Sequence, residues 1–199
     1  MKMPARKYYT PAEYLAMEEV ADCRHEYYQG EIFAMAGAST NHNRIVRNFG
    51  SELSVTLKST SCEAFLNEER LWIQAKGLFT YPDIMVICGK PEPYENRNDT
   101  LTNALVIVEV LSDSTQSYNR KEKFELYRAL PTFQEYILIH QHKVCVEQYI
   151  RETPNKWIFT EYNQLTDILK LAKVNFQISL QDIYYRVDCV GPEGGAHGA

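Results

Sequence analysis

Two runs, YPDIMVIC at residues 81–88 and LVIVEVL at residues 105–111, decide how this chain is read. Both are almost continuously apolar, the pattern of strands covered on both faces. Each also carries one acid. Asp83 follows Pro82 at the head of the first run, and Glu109 sits inside the second. A carboxylate within a buried strand must be paired, hydrogen-bonded, metal-bound or protonated. Placed side by side, the two strands would bring both acids together. Their repulsion would raise the pKa of at least one, and a divalent cation would relieve it. Taken singly, each acid also has a plainer reading. Asp83 can be a turn residue at a strand start, and Glu109 can be the partner of a buried Arg or Lys.

Outward from these runs, the chain alternates turn signals and periodic segments. T-P-A-E at residues 10–13 is a capping box with Pro in the first turn, and it predicts a short helix to about residue 19. RHEYYQGEIFAMAG at residues 24–37 reads as a hairpin about Gln29-Gly30. Ile45, Phe49, Leu53 and Leu57 recur every four positions, which predicts a helix over 40–58 with one buried face. Strands are expected at 62–66, 71–74, 80–88 and 105–111. A helix is expected over 119–130, then a hairpin about Gln141-His142, two short strands and a short helix over 180–186. Residues 1–187 read as a single domain, and 188–199, ending GPEGGAHGA, as a mobile tail. The fold class is α/β (α+β).

Composition narrows the function. The chain has 199 residues, 21 Lys and Arg against 26 Asp and Glu, and a formal net charge of −5. That balance speaks against a surface coated for non-specific nucleic-acid binding but leaves room for a local basic groove. No apolar stretch approaches the ~20 residues that span a bilayer. The five cysteines are widely spaced with no C-x-x-C pair, so free thiols in a reducing cytoplasm are expected rather than a disulfide framework. No G-x-S-x-G elbow and no P-loop is present.

The strings YPDIMVIC, IVEVLSDST, KEKFELYRAL and EYILI, preceded by RHEYYQGEIFAMAGAS and NHNRI, occur in that order. Together they resemble the Uma-type restriction endonuclease-like family of the PD-(D/E)xK nuclease superfamily, over about residues 10–184. The resemblance implies a restriction endonuclease-like core, a mixed β-sheet flanked by helices, and a metal-dependent phosphodiesterase site. Asp83 matches the motif aspartate and Glu109 the second acid. The superfamily pattern places Lys two residues after that acid, where this chain has Leu111; Lys123 matches a lysine supplied instead by the following helix, with Lys121 the lesser substitute. Asn119 stands where the family usually has Asp. Glu26 matches the family's N-terminal acid. On this resemblance Asp83, Glu109, the carbonyl of Val110 and Glu26 would hold Mg²⁺, with Mn²⁺ as a substitute, and Lys123 would stabilise charge on the phosphate.

Weaker signals complete the picture. His42, Arg44, Ser112, Ser114, Arg120 and Lys121 are candidate DNA contacts, with local hydrogen bonds and a solvated helix face as the plainer reading. His140 and His142 read as a polar turn rather than a metal pair. The expected protein is a cytoplasmic, Mg²⁺-dependent endonuclease acting on DNA as a homodimer, without a membrane partner. The alternative is a catalytically inactive nuclease-fold protein that binds nucleic acid or a protein partner.

Overall fold

A computed structural model describes residues 7–112 and 116–189. Most of the expected C-terminal tail, and Ser114 among the candidate DNA contacts, lie outside the described residues. The capping box forms as expected. Thr10 accepts from the Glu13 amide at 3.2 Å, its own amide donates to Glu13 at 2.7 Å, and helix α1 (Pro11–Glu18) follows. Next come β1 (His25–Tyr28) and β2 (Glu31–Ala34), joined at Gln29 and Gly30, both at positive φ. Helix α2 (Thr40–Leu57) starts where the Ser39 hydroxyl accepts from the His42 amide at 3.1 Å.

The strands that follow are β3 (Cys62–Leu66), β4 (Arg70–Ile73), β5 (Leu78–Thr80), β6 (Ile84–Cys88), β7 (Thr100–Leu101) and β8 (Val106–Leu111). After a helical segment come β9 (Glu135–His140), β10 (Val146–Thr153), β11 (Lys156–Tyr162), β12 (Ile168–Leu171) and β13 (Phe176–Ser179). They form a five-stranded sheet in the order β2-β1-β5-β4-β7, a six-stranded sheet in the order β11-β10-β9-β8-β6-β3, and the pair β12-β13. Parallel pairs occur in both larger sheets, β4 with β7 and β8 with β9, so both are mixed. This is the expected mixed α+β architecture, with a second sheet that the sequence patterning did not separate.

Three expectations change. The strand expected over 80–88 is two strands. Tyr81-Pro82-Asp83 carries the chain from β5 in one sheet to β6 in the other. Pro82 has no amide to give to a ladder, so the break falls where a continuous strand would be weakest. The helix expected over 119–130 is a composite: α3 (Gln116–Tyr118), a π-helical turn (Asn119–Lys123) and α4 (Phe124–Tyr127). Finally, Cys62 and Cys88 are joined in a disulfide, while Cys23, Cys145 and Cys189 are free. Sequence spacing hid that pair because antiparallel β3–β6 pairing places two residues 26 apart directly opposite each other.

Strands β6 and β8 at the centre of the six-stranded sheet are buried on both faces, as their apolar sequences require. Ile84, Val86, Val106 and Val108 pack with Ile45, Phe49 and Leu53 of α2 and with Ile178 of β13. The alternate residues Met85, Ile87, Ile107 and Leu111 pack with Tyr127, Leu130 and Phe133 on the other side. Gly50 lets α2 approach closely, since a Cβ there would collide with the Leu66 side chain.

Candidate active site

The β6–β8 register explains why the two acids meet. Met85 pairs with Ile107 and Ile84 with Val108. One step further along the same register, Asp83 falls opposite Glu109. Asp83 is held there by the Val110 amide, which donates to its Oδ2 at 2.7 Å. Its other oxygen, Oδ1, lies 3.1 Å from His42 Nε2 at the start of α2. The sequence placed His42 among the DNA contacts; the structure places it on Asp83.

Glu109 is buried, and two donors converge on its Oε1. Lys123 Nζ lies at 2.9 Å and the Tyr127 hydroxyl at 2.5 Å. Lys123 and Tyr127 are four residues apart, so helical geometry brings both to one face. Lys123 Nζ also lies 3.0 Å from Glu26 Oε1. Glu26 comes from the other sheet. Antiparallel β1–β5 pairing sets Tyr27 opposite Phe79, which brings Glu26 to Thr80, whose hydroxyl donates to it at 2.5 Å. The site therefore sits at the seam where the chain crosses between sheets.

Burial disfavours the charged form of Glu109, and with Asp83 beside it the carboxyl is pushed up to about 7, although Lys123 and Tyr127 pull it down. Burial works against the Lys123 ammonium, but Glu109 and Glu26 outweigh it and raise its pKa well above the ordinary value. Lys123 thus remains a cation among carboxylates. His42 is raised too: burial lowers it, and the hydrogen bond to Asp83 together with the charges of Asp83 and Glu109 more than compensates.

The donor set suits a hard divalent cation. Two carboxylates from adjacent strands, one already resisting ionisation, gain from a positive ion between them. Glu26 does not close that set into three, because the Lys123 ammonium lies between it and Glu109. Among the described residues, the one trio of ligand-type side chains within 4.8 Å of one another is His140, Cys145 and Glu147.

The remaining candidates scatter. Arg44 pairs with Asp188 at 2.7 Å, and Lys121 is exposed. Arg120 is turned onto Glu147 at 2.6 Å rather than outward. Ser112 and Arg120 line a cavity of about 380 Å³ with Gln116, His142 and Lys143. Tyr127 and Thr80 were not singled out in the sequence. Tyr127 had a readable signal, its spacing from Lys123; Thr80 is tied to the site only through strand pairing.

The sequence profile of the Uma2 family, described as "Putative restriction endonuclease", matches residues 11–181. The chain belongs to the Uma2 family. An uncharacterized Synechocystis sp. protein, sll1609, is 40% identical over 161 residues, which cover 81% of this chain and 91% of the relative. A second uncharacterized Synechocystis protein, slr1290, is 32% identical over 176 residues, 88% of this chain and 90% of the relative. The fold is shared with a crystal structure titled as a putative nuclease belonging to DUF820 from Anabaena variabilis. The TM-score is 0.70 at 19% identity, over 87% of this chain and 96% of that one. The Uma2 match spans every residue placed at the seam: Glu26, His42, Thr80, Asp83, Glu109, Lys123 and Tyr127. No helix among the described residues is long and apolar enough to cross a membrane.

Proposed function

We propose that this chain is a Mg²⁺-dependent endonuclease hydrolysing phosphodiester bonds of DNA, with Mn²⁺ as a substitute. The observation that carries this reading is the convergence of Asp83, Glu109, Lys123 and Glu26 at one buried seam. Asp83 and Glu109, with the carbonyl of Val110, would hold the cation, and Glu26, kept from Glu109 by the Lys123 ammonium, would join them through water. When bound, the cation supplies Lewis-acid polarisation of a phosphate oxygen and acidifies water. The chain's own groups do the rest. Lys123 offers a fixed ammonium to the charge that develops on the phosphate. Tyr127 and Lys123 fix one oxygen of Glu109, and the Val110 amide fixes one oxygen of Asp83, so both acids are set before substrate arrives.

The cavity lined by Ser112, Gln116, His142 and Lys143 lies just past the end of β8 and would offer the Lys143 ammonium to the DNA backbone. We read residues 1–187 as one domain, acting as a homodimer whose two sites cut two strands.

Cleavage of plasmid and single-stranded DNA with Mg²⁺ or Mn²⁺ tests the reading. Wild type should cleave, while Asp83→Ala and Glu109→Ala should not. Wild-type-like cleavage by both variants would overturn the site. DNA binding by wild type without cleavage in either ion would overturn the activity and leave the non-catalytic alternative.

A further inference from the structure

The trio His140, Cys145 and Glu147 first looks like a second metal site. A cation is already there, however, and it is an arginine. Arg120 Nε donates to Glu147 at 2.9 and 3.2 Å, and its terminal nitrogen donates at 2.6 Å. The same guanidinium contacts His140 Nε2, and Gln116 accepts from it at 3.2 Å. Glu147 also takes the Tyr149 hydroxyl at 3.1 Å and lies 3.3 Å from His140. Although burial raises the Glu147 carboxyl, His140 and Arg120 bring it down to about 2, so it stays ionised. A metal would have to displace the guanidinium from two of the three ligands.

This ion pair is rooted in the π-helical turn. Arg120 is the second residue of that turn and Lys123 the last. In a regular α-helix, residues three apart share a face. Here they serve different partners: Arg120 reaches Glu147 on β10, while Lys123 reaches Glu109 on β8 and Glu26 on β1. The wider π turn swings the two side chains apart. Such turns are rare overall and frequent at functional sites. Contacts from the sheet reach this one. The Tyr136 hydroxyl donates to the Asn119 carbonyl at 3.2 Å, and the bidentate Arg120–Glu147 pair ties the next residue to the sheet.

We infer that the Arg120–Glu147 pair is a latch that fixes the π turn in the register that delivers Lys123 to Glu109, making Arg120 and Glu147 positioning residues. The catalytic consequence rests on the nuclease reading above; the placement of Lys123 does not.

The test has two arms. Reductive methylation read by mass spectrometry should find Lys123 protected in wild type and modified in Glu147→Gln and in Arg120→Lys, which keeps the charge but loses the bidentate fork. In steady-state DNA cleavage, each variant should lose about 10- to 100-fold in kcat with KM little changed, the size expected when a reacting group is displaced slightly. In a Lys123→Ala background, Glu147→Gln should cost nothing more, whereas a merely structural role would add its loss independently. Lys123 protection persisting in both folded variants, or rate losses that multiply in the double variant, would overturn the latch. Should wild type cleave nothing, the methylation arm still decides the latch, and the nuclease reading alone fails.

Discussion

Burial of Glu109 makes the metal-free fold sensitive to pH in a direction that can be worked out. The carboxyl is raised from 4.5 to about 7, chiefly by burial, with Asp83 adding to the rise and Lys123 opposing it. An acid whose folded pKa exceeds its unfolded value binds its proton more tightly when folded. Its contribution is complete below the unfolded pKa and is lost as pH rises through the folded one. A shift of that size corresponds to about 2 to 3 kcal/mol lost between about pH 5 and about pH 8. Glu109→Gln keeps the shape but cannot titrate. Urea unfolding of both proteins in EDTA across that range isolates the effect. The stability of wild type relative to the variant should fall by about 2 to 3 kcal/mol as pH rises. His42 is also raised and titrates in the same direction, but it is common to both proteins and largely cancels. Parallel curves would refute the burial argument. A relative rise for wild type would refute it too, by showing that the Lys123 pair outweighs desolvation.

Tyr127→Phe removes one of the two donors on Glu109 Oε1 and should cost about 1–3 kcal/mol in urea unfolding. It should also move the acidic limb of the pH profile of cleavage upward, because the ionised carboxylate loses a donor. Reduction of the Cys62–Cys88 disulfide opens a loop spanning 26 positions and should lower stability by about 3 kcal/mol, read as a fall in melting temperature with dithiothreitol. The Cys62→Ser, Cys88→Ser double variant should reproduce that fall and be insensitive to reductant.

Much of this was legible because single-residue periodicities reported it. Ile45, Phe49, Leu53 and Leu57 announce a helix with one buried face, and all four are buried. The apolar runs around Asp83 and Glu109 announce strands covered on both sides, and α2 and α4 cover them. What the sequence concealed was set by pairing between distant segments. That Asp83 binds the Val110 amide, that Glu26 meets Thr80 across β1–β5, and that Cys62 faces Cys88 follow from strand register, which no local pattern states. The π turn was hidden for a related reason. Residues 119–130 carry a helical pattern, and the extra residue in the turn is held by Glu147 and Tyr136, both beyond the helix in sequence. Arg120 was read as a DNA contact because a sequence shows its charge but not its partner.

The departure at Leu111 now has a physical account. Residues 109 and 111 share a face of β8, so a lysine at 111 would come to its acid along the strand. Here that position is spent on packing. Leu111 is 2% exposed among Leu126, Tyr127 and Leu138, and a lysine there would put an ammonium into an apolar cluster. The cation instead reaches Glu109 from the helical segment above the sheet, at 2.9 Å. The electrostatic result is the same pair of charges, but its geometry no longer follows from the strand alone. A lysine on β8 would be placed by the same ladder that places Glu109. A lysine on the helix is placed by whatever holds the helix, which brings in Tyr127 on the same carboxylate oxygen and the Arg120–Glu147 pair at the other end of the π turn. Moving the cation off the strand freed Leu111 for the core and made lysine placement depend on residues outside the motif.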